Sequence, residues 1–91
     1  MTHETTDVQV LSTPGCAGCD QIKQLIADVL AGFPDLSWEE INLMDYPEVA
    51  GRYSIMSVPA VVIGGELAFA RIPTRDALTD AVRVYTERND T

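Results

Sequence analysis

The sequence predicts an α/β domain, a four-stranded mixed sheet flanked by helices in the order β-α-β-α-β-β-α. Three observations carry this reading. A short β-branched run, Val8-Gln9-Val10-Leu11, precedes an apolar stripe at helical spacing formed by Ile22, Leu25, Ile26, Val29, Leu30 and Phe33. Two apolar segments, 58–63 and 66–70, flank Gly64-Gly65, the composition of a tight hairpin. A second helical stripe, Leu78, Ala81, Val82 and Tyr85, closes the chain.

Taken in order, residues 1–6 are polar and expected to be disordered, with His3 a surface residue among them. The first strand ends where Ser12-Thr13-Pro14-Gly15 interrupts its apolar run, and the helical pattern begins at Cys19. Gly32 and Pro34 are the expected helix stop. Residues 36–43 read as a second strand, with Trp38 and Ile41 on opposite faces. Joined through the helix, the two strands form a parallel β-α-β unit of right-handed crossover. Asp45 followed by Pro47 and Glu48 reads as a capped start to a short helix through Val49, Ala50 and Tyr53. Thr74 is the expected cap of the last helix. No repeat, linker or composition shift divides the 91 residues, so 1–91 reads as one domain.

The two cysteines of the chain, Cys16 and Cys19, stand as Cys-Ala-Gly-Cys at the passage from strand to helix. A helix start presents unpaired N–H groups and the positive end of the helix dipole, so a thiol held there loses its proton more readily. The thiolate is the form that attacks disulfides, and a second thiol one turn on can resolve the mixed disulfide so formed. Cys19 shares the apolar side of the helix with Ile22, Ile26 and Val29, whereas Cys16 precedes the first turn. This assigns attack to Cys16 and resolution to Cys19. A bridge closing so short a loop constrains the unfolded chain little, so the value of the pair is chemical.

Bulk composition narrows the alternatives. Six basic against fourteen acidic residues give a net charge of −8, and no Lys/Arg cluster is present, which argues against nucleic acid and anionic membranes. No apolar run reaches membrane-spanning length, and the first residues lack the basic and apolar regions of a secretory signal. A CxxC chain with these features is expected in the reducing cytoplasm, as a monomer. No cofactor-binding motif is present. A rival reading is a metal or iron–sulfur carrier in which two copies share their CxxC pairs, since one chain offers zinc only two cysteines and His3 and zinc needs four ligands.

From Val8 to Tyr85 the chain resembles the thioredoxin superfamily. The resemblance rests on the strand–loop–Cys16-Ala17-Gly18-Cys19–helix order and on Asp45-Tyr46-Pro47-Glu48-Val49-Ala50 running into Arg52-Tyr53-Ser54-Ile55. Its third element is Ile55-Met56-Ser57-Val58-Pro59 before an apolar strand and a Gly turn. The fold implied is thioredoxin-like, a minimal glutaredoxin-sized core similar to small thioredoxin-like proteins of bacteria and archaea. In that family the Pro59 position follows a cis peptide bond. The resemblance implies substrate contacts from Pro14, Gly15, Ala17 and Gly18 around the thiols and from Met56, Val58 and Pro59; Met56 reads equally well as core filler. Trp38 and Tyr53 read as packing residues.

Departures from the family pattern are specific. Gly15 stands where thioredoxins have Trp, Ala17-Gly18 replaces Gly-Pro, and the position of the buried acid on the first strand is taken by Val10. The glutathione-binding segment of glutaredoxins is replaced by Arg71-Ile72-Pro73-Thr74, which makes glutathione an expected poor partner. The activity implied is dithiol exchange that reduces disulfides of proteins or small thiols, with a thioredoxin-type reductase or a thiol pool as electron donor.

Overall fold

The computed structural model describes residues 7–55 and 58–89. The expectations for residues 1–6 and for Met56 lie outside the described residues. Seven elements follow one another: β1 Val8–Ser12, α1 Cys19–Leu30, β2 Trp38–Asn42, α2 Pro47–Arg52, β3 Ala60–Ile63, β4 Glu66–Phe69 and α3 Arg75–Asn89. The sheet runs β2-β1-β3-β4, with β1 parallel to β2 and antiparallel to β3, and β3 antiparallel to β4.

Strand periodicity distributes the apolar side chains onto two faces. Val8 and Val10 of β1 and Val61 and Ile63 of β3 pack with Ile22, Ile26, Val29 and Leu30 of α1 and with Leu78 and Val82 of α3. The intervening Leu11, Ala60 and Val62 join Ile41 and Leu43 beneath Val49, Ala50 and Tyr53. Both faces of β3 are therefore covered, and all four of its residues are buried.

Several boundaries differ from the sequence expectation. Strand β2 starts at Trp38; Leu36 lies in a turn, its N–H donating to Phe33 O at 3.0 Å, and packs against the α1 core from there. Strand β3 starts at Ala60, because Pro59 has no N–H to give to a ladder. Helix α1 stops without a left-handed glycine. Its last turn tightens through Gly32 N–H to Val29 O and Phe33 N–H to Leu30 O, while the C-cap Ala31 stays helical. Asp45 does not cap α2. Tyr46 is the N-cap residue without a side-chain bond, and the turn before it is organised by Asn42. The Asn42 side chain accepts from Met44 N–H at 2.8 Å, and its carbonyl accepts from Asp45 and Tyr46. Pro47 at the first helical position removes one N–H that would need a cap. Thr74 does cap α3, its Oγ1 accepting from Ala77 N–H at 3.1 Å.

Candidate dithiol site

The site is built at the C-terminal end of β1. Thr13-Pro14-Gly15-Cys16 forms a turn closed by Cys16 N–H donating to Thr13 O at 3.2 Å. Gly15 takes φ +77°, which with Pro14 before it is the pattern of a type II turn. Helix α1 then starts at Cys19 with Gly18 as N-cap, and no side chain caps its first N–H groups. Cys16 and Cys19 are joined in a disulfide, their Cα atoms 5.4 Å apart. Cys19 is 5% exposed and lies on the buried face with Ile22 and Ile26, while Cys16 is half-buried.

Three chain segments meet at the dipeptide between the cysteines. A Cβ built on Gly18 would lie 3.6 Å from Pro59 Cδ and 2.8 Å from Ile72 Cδ1. Pro59 is buried and follows a cis Val58–Pro59 bond. Val58 is half-buried and packs on the α2 side of the sheet. Pro14, Gly15 and Ala17 are exposed, and Gly18 is half-buried. The sequence carries no signal that makes Ile72 a site residue. It falls between β4 and the Thr74 cap of α3 and belongs to no periodic stripe, so only its apolar character within a polar segment hints at packing.

A polar cluster lies on the α1 side of the same strand end. Ser12, 2% exposed, donates from Oγ to Glu40 Oε2 at 2.6 Å. Lys23, one turn after Cys19 on α1, reaches Glu40 Oε1 at 3.3 Å and Asp20 at 3.5 Å. The Ser12 hydroxyl, against the opposing effect of burial and with help from Lys23, holds the Glu40 carboxyl below the usual carboxylate range. The Glu40 bond in turn raises the Lys23 ammonium. The cation nearest the cysteines in sequence is thus committed to carboxylates. Among the described residues no three of His, Cys, Asp and Glu cluster as metal ligands. Nor is any helix there long and apolar enough to cross a membrane.

The sequence family described as the thioredoxin domain matches residues 6–83. The chain is 35% identical over 77 residues to the thioredoxin of Methanocaldococcus jannaschii, covering 84% of this chain and 91% of that protein. It is 30% identical over 77 residues to the probable thioredoxin of Methanothermobacter thermautotrophicus, with the same coverage of 84% and 91%. Among solved structures, thioredoxin 1 from Thermosipho africanus superposes with a TM-score of 0.71 over 92% of this chain and 98% of that one. Its 19% identity makes that likeness one of fold.

Proposed function

The chain belongs to the thioredoxin family and is a thiol–disulfide oxidoreductase, and from that premise we propose that Cys16 attacks and Cys19 resolves. Cys16 thiolate attacks one sulfur of a substrate disulfide; a Cys16–substrate disulfide forms and the other substrate sulfur leaves as thiolate. Cys19, as thiolate, then attacks Cys16 Sγ, expels the second substrate thiolate and leaves the Cys16–Cys19 disulfide. The substrate has gained two electrons and the dithiol has lost two. A thioredoxin-type reductase returns them in the intact cell. The observation that carries the assignment is the unequal burial of the pair at the start of α1, Cys19 in the core and Cys16 half-buried.

The rest of the site follows the same reading. Pro14, Gly15, Ala17 and Gly18 flank Cys16 in the chain and are substrate contacts, joined by Val58 and by Pro59, which lies against Gly18. The domain works as a monomer in the cytoplasm, and glutathione is its poorer electron donor. Reduction of insulin disulfides tests this, run once with a thioredoxin reductase and once with glutathione and glutathione reductase. Faster turnover with the thioredoxin reductase is expected; faster turnover with glutathione would contradict the donor assignment. A coloured or metal-containing protein after anaerobic, reducing purification would contradict the function.

A further inference from the structure

Two parallel strands end side by side at the dithiol. Ser12 of β1 stands level with Asn42 of β2, and Leu43 N–H donates to Ser12 O at 2.8 Å. The chain leaving β2 therefore starts beside the Thr13–Cys16 turn. It does so on the side away from Pro59, because β1 lies between β2 and β3. Five consecutive residues there, 44–48, are exposed. Met44 keeps 70% of its surface in water and Tyr46 41%, and Pro14 of the redox turn is exposed as well.

The backbone beneath these side chains is fixed. Asn42 Oδ1 accepts from Met44 N–H at 2.8 Å, and Asn42 O accepts from Asp45 and Tyr46 N–H at 3.0 and 3.1 Å. Leu43 is buried on one side of Met44, and Pro47 starts α2 directly after Tyr46. A single exposed methionine is ordinary, but a hydrogen-bonded turn that holds two large apolar side chains out beside a reacting thiol marks a contact face. The thioether of Met44 adapts to partners of varied shape. The charge there is of one sign. Asp45 lies between the two apolar residues, Glu48 follows, and residues 43–51 contain no Lys or Arg. The redox turn and dipeptide, 12–18, are uncharged, Asp20 opens α1, and Lys23 is held by Glu40 and Asp20. Arg52 comes only at the far end of α2.

We propose that Met44, Asp45 and Tyr46 form a docking face on the β2 flank of the redox turn, which selects polypeptide disulfides carrying an apolar and a cationic residue beside the target cysteine. The inference rests on the oxidoreductase reading above and names the substrate class of that site. A peptide joined to Cys16 lays its apolar side chain on Met44 and Tyr46 and its cation beside Asp45. The net charge of −8 draws the same class of partner from a distance, so the local contribution of Asp45 has to be separated from it.

The test measures the second-order rate at which pre-reduced protein is oxidised by four disulfides. One is hydroxyethyl disulfide, small and neutral. The others are homodimers of short peptides whose cysteine is flanked by Leu and Lys, by Ser and Lys, or by Leu and Glu. In each reaction one disulfide becomes two thiols as the Cys16–Cys19 disulfide forms. Every variant is compared with wild type on the same disulfide, so the peptides' own reactivities cancel. Met44→Ser should slow the Leu-Lys peptide about fivefold and leave the Ser-Lys peptide nearly unchanged. Asp45→Asn should slow the Leu-Lys peptide about threefold without slowing the Leu-Glu peptide. Glu66→Gln makes the same change in net charge at the opposite end of the sheet and should do neither. Met44 and Asp45 are exposed, and unchanged rates with hydroxyethyl disulfide show that the dithiol is intact in each variant. Equal slowing of the Leu and Ser peptides by Met44→Ser, or equal effects of Asp45→Asn and Glu66→Gln, would overturn the proposal. A rate constant that falls as protein concentration rises, and recovers in Met44→Ser, would make the face a contact between two copies and overturn it too. Failure of wild type to react with any of the four disulfides would overturn the functional reading itself.

Discussion

Glu40 and Tyr85 show how single hydrogen bonds tie this small fold together and how pH tests them. The folded-state carboxyl of Glu40 is depressed chiefly by the Ser12 hydroxyl. A depressed carboxyl stabilises the fold above its unfolded value near 4.5 and loses that contribution as pH falls through the folded value. Ser12→Ala should therefore cost about 1 kcal/mol near neutral pH, discounted for the partial exposure of Glu40, and less below pH ~4. Urea unfolding of both proteins across this range checks it; a gap that is constant with pH would contradict it. Tyr85 behaves in the opposite sense. Its hydroxyl donates to Asp7 Oδ1 at 2.6 Å, and that bond, with burial and the Asp7 charge, pushes its pKa from 10 up to about 12. The contribution is complete below pH 10 and lost as pH rises through about 12. Tyr85→Phe should lower stability by about 1 kcal/mol at neutral pH. Melting temperatures between pH 10 and 12 check it: wild type should fall over this range by more than Tyr85→Phe, and parallel falls would contradict it.

The β3–β4 hairpin is where element geometry and packing coincide. Gly64 and Gly65 take φ +61° and +83°, the pair of left-handed residues that a two-residue hairpin of this twist requires. A Cβ on Gly65 would meet open space, whereas one on Gly64 would lie 2.5 Å from the Tyr85 ring of α3. Gly65→Ala should therefore cost about 1 kcal/mol from backbone strain, and Gly64→Ala clearly more; thermal melts of the two variants rank them, and equal losses would refute the ring contact. The same comparison explains what was legible in the sequence. The stripe of α1, the Gly-Gly turn and the Thr74 cap each depend on residues within a few positions, and all three stand as expected. The turn before α2 is organised by Asn42 and not by Asp45, because Asn42, Asp45 and Pro47 are all turn formers and composition does not rank neighbours competing for one turn. The Ser12–Glu40 bond and the Ile72–Gly18 contact join segments far apart in the chain, and local pattern carries no signal for either.

At the scale of the whole molecule, net charge bears on the choice of electron donor. A net charge of −8 opposes a ligand that is itself negative, as glutathione is. Raising salt from about 0.01 to 0.15 M shortens the screening length from about 30 to about 8 Å, so turnover with glutathione should rise over that range. Steady-state rates at the two ionic strengths check this, and a fall on adding salt would point to a cationic binding site for the tripeptide. The central claim, that one thiol attacks and the other resolves, makes the sharpest demand on the intact protein. Reduced Cys19→Ser protein, mixed with a disulfide-containing protein substrate and quenched with alkylating agent, should give an intact mass equal to protein plus substrate, linked at Cys16. Cys16→Ser treated in the same way should give only the unlinked mass. A stable adduct on Cys19 in the Cys16→Ser protein, with none on Cys16 in its counterpart, would contradict the account.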